Sequence, residues 1–279
     1  MLNRGLRMVR IASAVVTLIG PLLALRVLQA APAGQEHLMQ GPRPIIELRQ
    51  YVLYPGKVAE FTRLFEDQFI ESQEAVGMDI IGTFHEPVHP SHFTWIRGFT
   101  DMEARAKQLD AFYSGPVWQA HRNTANPMLE DNDNVLLLRE AFPGSGLPSP
   151  SQPRAPIGST ALPGGVVVAN IYYLKESPRL HFSDFFKETL TPQLKKAGIS
   201  VLGAYMPEQT PNNFPKLKIR EGENLFVWFA RFNDKADYQR HLAKLDTQPQ
   251  WRDITAGRGQ LSSPPEILEL EPTARSRLH

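Results

Sequence analysis

Apolar and polar residues alternate in short runs along much of the chain. Between these runs, apolar residues recur every three or four positions. Ile45 to Val52 alternates between turn-forming flanks and is predicted as a strand. Pro55-Gly56 forms a turn. Val58, Phe61, Leu64, Phe65 and Phe69 are spaced for one face of a helix. Met78 to Glu86 and His92 to Phe99 are two strands joined through Pro87 to Ser91 as a hairpin. Thr100-Asp101-Met102-Glu103 has the form of a capping box that opens a second helix. Pro116 starts a short further turn, and Asn134 to Arg139 is a final strand. The order β-α-β-β-α-β is that of a ferredoxin-like split unit.

The pattern then repeats. Phe93, Trp95, Phe99, Asp101 and Trp118 recur as Phe226, Trp228, Phe232, Asp234 and Trp251, each 133 positions later. Tyr51, Gly77 and Gly82 recur as Tyr172, Gly198 and Gly203, each 121 positions later. The second copy therefore carries 12 extra residues between Gly203 and Phe226. They fall in Pro207 to Glu223, a lengthened loop, where insertions cost little. A sheet with helices on one face needs a cover for the other, and a second copy supplies it. The fold class expected is α+β: two tandem ferredoxin-like modules whose sheets pack as an α+β barrel of the dimeric type.

The domain organisation follows. Residues 1–33 are a leader, 44–140 the first module, 141–164 a linker and 165–273 a divergent second module. The linker holds six prolines, four glycines and four serines. In the leader, Arg4, Arg7 and Arg10 precede an apolar run from Ile11 to Leu25, then Ala31-Pro32-Ala33. Positive, apolar, small is the order of a secretory signal, so export is expected, with no membrane span after cleavage. An uncleaved anchor and a mitochondrial presequence stay open, since no acidic residue precedes Glu36.

Composition narrows the chemistry. With 30 basic and 29 acidic residues, no basic field exists to hold nucleic acid. There is no cysteine, which excludes disulfides, thiolate metal sites and a cysteine nucleophile. No phosphate-binding glycine loop or nucleophile elbow appears. His85, His89 and His92 crowd the first hairpin without a carboxylate at ligand spacing, and no metal is expected.

The first copy also carries scattered specific matches to a known family: Glu47-Leu-Arg49-Gln-Tyr51, Pro55-Gly56-Lys57, Phe93-Thr-Trp95-Ile-Arg97-Gly-Phe99, Asp101-Met-Glu103, Ala111-Phe-Tyr113, Trp118, His121-Arg122 and Asp133-Asn-Val-Leu-Leu137. On these residues the stretch from Ile46 to Leu138 resembles the NIPSNAP family. The resemblance implies a dimeric α/β barrel and, because the family has no common reaction, little chemistry. Its members are linked to mitochondria, vesicle traffic and mitophagy signalling. The second copy keeps Phe226, Trp228, Phe232 and Trp251 but has Ala230 and Ile254 where the first has Arg97 and His121.

Glu47, Arg49 and Tyr51 share one face of the first strand, and Trp95 and Arg97 share one face of the third. Their aliphatic neighbours suit the helices, so the polar face is expected to line the barrel interior. There it would form an aromatic-walled site for a small anionic or aromatic ligand. A buried ion network that only satisfies itself is the alternative. The matched positions of the second copy are Val168, Asn170 and Ala230, which places any special site in the first. His121 and Arg122 complete the candidates. His121 suits a general base, a haem ligand or a histidine bonded to a carbonyl. No other cofactor is expected. A non-enzymatic interaction module, using the 207–223 loop with Lys216, Lys218 and Arg220, is the competing function, and a filled structural barrel is a third. Tandem copies allow a self-sufficient monomer, and family pairing allows a homodimer.

Overall fold

The computed structural model describes residues 44–148, 152–249, 251 and 260–279. The leader expected over 1–33 lies outside them. The first module comprises β1 (Ile45–Leu53), α1 (Val58–Leu64), α2 (Ile70–Glu74), β2 (Asp79–Glu86), β3 (His89–Phe99), α3 (Met102–Ser114), α4 (Pro116–Ala125) and β4 (Leu129–Glu140). The second comprises β5 (Val166–Tyr173), α5 (Phe182–Phe185), α6 (Thr191–Ala197), β6 (Val201–Pro207), β7 (Leu225–Phe232), α7 (Lys235–Asp246) and β8 (Glu266–Pro272). Among the described residues, no helix is long and apolar enough to cross a membrane.

Local details repeat with the sequence. The predicted first helix is broken by a π-helical turn, Phe65–Phe69, and the second module has its own at Phe186–Leu190. Such turns widen the helix and re-aim side chains, and they are frequent at functional sites. Helix α3 is capped by Asp101, whose carboxylate accepts from the Ala104 amide at 2.7 Å. Asp234 caps α7 in the same way at 2.6 Å. The capping box had placed Thr100 at this position. An aspartate one residue later takes it, because a charged acceptor is favoured at a helix N-terminus.

The eight strands form one closed barrel in the order β1-β3-β2-β8-β5-β7-β6-β4. Closure joins the modules through their edges. β4 meets β6 at Arg139↔Met206, and β2 meets β8 at Phe84↔Pro272. This pairs the edges that each sheet would otherwise leave exposed.

The two sheet faces are the reverse of the sequence expectation. Ile46, Leu48, Ile96, Leu136, Leu138 and Ile171 point into the barrel and form one fully buried aliphatic cluster. Glu47, Arg49, Tyr51, Trp95 and Arg97 lie on the other face, the one the helices cover. The interior of an eight-stranded barrel is narrow enough for side chains to fill, and here branched aliphatics fill it. The long polar and aromatic chains go where the helices stand off the sheet. The barrel interior is therefore filled, and the space for chemistry lies outside the strands.

Linker and tail tie the barrel down. The Leu147 side chain enters the barrel core, and its amide donates to the Tyr205 hydroxyl at 2.7 Å. The C-terminal Leu278 joins the same core. On the way, Thr273 and the Arg275 amide both donate to Glu66, and Arg277 pairs with Glu74 at 2.9 Å. Linker Arg154 meets Glu74 at 2.6 Å.

Candidate functional site

Antiparallel pairing of β1 with β3 puts Glu47 opposite Arg97, Arg49 opposite Trp95 and Tyr51 opposite Phe93. Side chains of these pairs share a face, so Glu47, Arg49 and Arg97 are brought together by register alone. Arg49 Nη1 lies 2.6 Å from Glu47 Oε2, and Arg97 Nε lies 2.8 Å from the same oxygen. A third guanidinium arrives from α3. Arg105 Nε donates to Glu47 Oε1 at 2.7 Å. All four groups are buried, Glu47, Arg97 and Arg105 at 0% exposure and Arg49 at 1%.

Three guanidiniums on one carboxylate leave an excess of two positive charges in the interior. Part of it is dispersed. Arg49 and Arg97 both stack over the Trp95 ring, at 5.5 and 5.1 Å. Arg97 Nη1 donates to Gln73 Oε1 at 3.0 Å, and Arg105 Nη1 to Asn213 Oδ1 at 2.6 Å. Arg97 Nη2 lies 2.7 Å from Glu47 Oε2 as an ion pair without good hydrogen-bond alignment, and Arg105 Nη2 lacks a well-formed hydrogen bond. Burial alone would raise the Glu47 carboxyl, but Arg97, Arg49 and Arg105 outweigh it and hold it far below the usual carboxylate range.

Arg49 also reaches outward. Its Nε donates to the Tyr51 hydroxyl at 2.9 Å. The phenol oxygen thus accepts from a cation and keeps its own O–H free to donate. Burial raises the Tyr51 phenol, and the Tyr113 phenol adds to this; together they outweigh Arg49, so Tyr51 remains a protonated donor at neutral pH.

Tyr51 and Trp95 open onto a cavity of about 520 Å³ between the sheet and the helices. The π turn lines it with Phe65 and Phe69, α3 with Phe112 and Tyr113, and α4 with Trp118 and Arg122. Gln73 connects the cavity wall to Arg97. The lengthened loop of the second module supplies the remaining wall with Phe214, Lys216 and Leu217. Phe214 is buried and stacks on Tyr113 at 5.8 Å. The three loop cations that sequence suggested for an external partner are all engaged within the chain. Lys216 sits over the Phe214 ring, Lys218 pairs with Asp133 at 2.5 Å, and Arg220 bonds Glu223 and Tyr173.

The structure thus gathers Glu47, Arg49 and Arg97 into one cluster, with Tyr51 and Trp95 between it and the cavity. Arg122 stands exposed on the cavity wall. His121 is not on that wall. Its half-buried ring lies against Phe69, which does line the cavity, at 6.3 Å. Sequence reasoning missed Arg105, Gln73 and Tyr113. Arg105 was findable, since Arg105, Leu109 and Phe112 share one helix face and a charge among apolar positions needs a partner. Tyr113 stood among the family matches without being assigned to the site, and Gln73 had no signal.

The hairpin histidines are spoken for separately. His85 bonds Thr62 at 2.9 Å, His92 approaches Glu86 at 3.3 Å, and His89 stacks on His92. Among the described residues, no group of three or more His, Cys, Asp or Glu could hold a metal ion.

Comparison with known proteins agrees with this geometry at the level of fold. Residues 46–142 match the NIPSNAP family. A candidate monooxygenase from Lactobacillus acidophilus NCFM superposes with a TM-score of 0.52 at 17% identity, covering 84% of this chain and 97% of that one. A second, from Fusobacterium nucleatum, superposes at 0.52 and 13% identity, covering 83% and 93%. A 3-beta-hydroxylase from Tanacetum parthenium is 35% identical over 88 residues, 30% of this chain, and the chain spans only 17% of that relative's length. Identities this low in the solved structures carry the fold and not the activity. The chain therefore carries a NIPSNAP domain over residues 46–142, within an α+β barrel of the dimeric type completed by its own second module.

Proposed function

We propose that this protein binds a small anionic or aromatic molecule in the first-module cavity. The observation that carries the proposal is the Tyr51 hydroxyl, held by Arg49 at the edge of a cluster with two surplus positive charges and lining an aromatic cavity. A buried positive excess is costly unless an anion or a strong acceptor meets it. Tyr51 offers the O–H for that acceptor, and Phe65, Phe69 and Trp118 offer stacking area for a ring. A carboxylate or phenolate on an aromatic body satisfies both halves.

The test is calorimetric titration of the full chain with 2-naphthoate. Saturable binding is expected, weakened about tenfold by Tyr51→Phe, the loss of one hydrogen bond to a charged group. A melting temperature measured alongside separates binding from folding. Absence of saturable binding, or the same affinity in the variant, rejects the reading. For location, the charge and apolar order of residues 1–33 supports export, and N-terminal sequencing of the mature protein tests it. A start at Gly34 is expected.

A further inference from the structure

The second module has a cavity of its own. It lies between the second module's half of the barrel and the helices α5 and α7, where the first module has its site, and holds about 350 Å³. The equivalent strand positions face it, with Asn170, Tyr172 and Trp228 standing where Arg49, Tyr51 and Trp95 stand in the first. The rest of the wall differs. Phe182, Phe185 and Leu242 make it apolar, and no lysine, arginine or histidine is among the described residues that line it. Asp246 is the one charged side chain among those described residues.

Polar groups on the cavity floor point to a ligand. Trp228 is 5% exposed, and its Nε1–H makes no well-formed hydrogen bond, although it approaches the Tyr172 hydroxyl. Burial pushes the Tyr172 phenol up to about 12, so it too stays a donor. An indole N–H met only by a poorly aligned hydroxyl leaves free energy that a better-placed acceptor would recover. The space is of the size that holds two fused rings.

We infer that the second-module cavity is a separate binding site for an uncharged, mostly apolar molecule with one hydrogen-bond-accepting oxygen, such as an aromatic ketone or quinone. It is independent of the first-module reading and selects by opposite chemistry. The oxygen accepts from Trp228 and Tyr172 while the rings pack between Phe182, Phe185 and Leu242.

The probe is 6-propionyl-2-(dimethylamino)naphthalene, a neutral two-ring ketone whose emission shifts to the blue in apolar surroundings. Titrated into the full chain, it is expected to bind one saturable site with blue-shifted emission. Trp228→Phe keeps the ring and removes the donor, and should weaken binding about fivefold. Leu242→Trp fills the space and should abolish it. Saturating 2-naphthoate and Tyr51→Phe should leave it unchanged. Circular dichroism of each variant confirms the fold, and two chemically different variants guard against one failing to fold. The inference is overturned if no saturable binding is seen. It is equally overturned if the affinity follows Tyr51→Phe while both second-module variants bind normally. Failure of 2-naphthoate to bind bears only on the first-module site.

Discussion

The two modules solve the same packing problem with different chemistry. Each presents a tyrosine and a tryptophan from paired strands to the space beneath its helices, Tyr51 with Trp95 and Tyr172 with Trp228. Each interrupts its first helix with a π turn and caps its next long helix with an aspartate. Yet the first module buries Glu47, Arg49, Arg97 and Arg105, where the second has Val168, Asn170, Ala230 and Tyr238. The second shows that this scaffold closes without an ion cluster. Replacing buried ion groups by apolar ones is often neutral or stabilising, so the first-module cluster is hard to explain by stability alone. The binding role proposed above would account for its surplus charge.

The largest expected effect breaks the cluster from within. Glu47→Gln leaves three buried guanidiniums without a carboxylate and should cost about 3–5 kcal/mol in urea denaturation. Transplanting the second-module residues together, Glu47→Val with Arg49→Asn, Arg97→Ala and Arg105→Tyr, should cost less than Glu47→Gln alone while removing 2-naphthoate binding. If the fourfold variant is the less stable, the cluster is structural and the contrast between modules loses its functional meaning.

Next comes the loop that the second module lends to the first. Phe214→Ala empties the buried stacking position on Tyr113 and should cost about 3 kcal/mol. It should also weaken ligand binding to the first module and leave the second-module probe unaffected.

Acid and alkali should act on different groups. The Glu47 carboxyl is depressed in the folded state from its ordinary value of 4.5. Its contribution is therefore fully present above about pH 4.5 and is lost as pH falls below it. In Glu47→Gln the acid-side loss should be shallower. Tyr172 and Tyr238 are pushed up to about 12 from 10.0, both by burial first and Tyr238 also by Glu269. They favour the neutral fold, so their contribution is whole below pH 10 and is lost as pH rises from 10 toward 12. Denaturation curves across pH, with Tyr172→Phe as the alkaline control, check both signs. The smallest effect is expected at Lys218, whose exposed pairing with Asp133 is screened by water. Lys218→Ala should leave the melting temperature unchanged.

Much of this was legible in the chain. The repeat at 133 and 121 positions predicts two like modules and a 12-residue insertion, and the insertion lies in the connection between β6 and β7. Alternation along β1 and β3 correctly put Glu47, Arg49, Tyr51, Trp95 and Arg97 on shared faces. Which face looks inward was not legible. Alternation separates two sets of side chains without saying which set meets a helix and which meets another sheet. His121 shows a second limit. Its spacing from Trp118 puts the two near one helix face, and both rings do lie against Phe69, but Trp118 lines the cavity and His121 does not.

The sequence by itself determined the duplication, the βαββαβ order, the neighbours within each strand pair and the asymmetry in charge between modules. These are local properties, set by periodicity, turn residues and side-chain chemistry. Only the tertiary structure decided that the aliphatic face closes the barrel, that Arg105 joins Glu47 from a distant helix, and that a loop of the second module walls the cavity of the first. Those outcomes depend on how strand edges close and which segments meet across long stretches of chain. No short-range pattern carries that information.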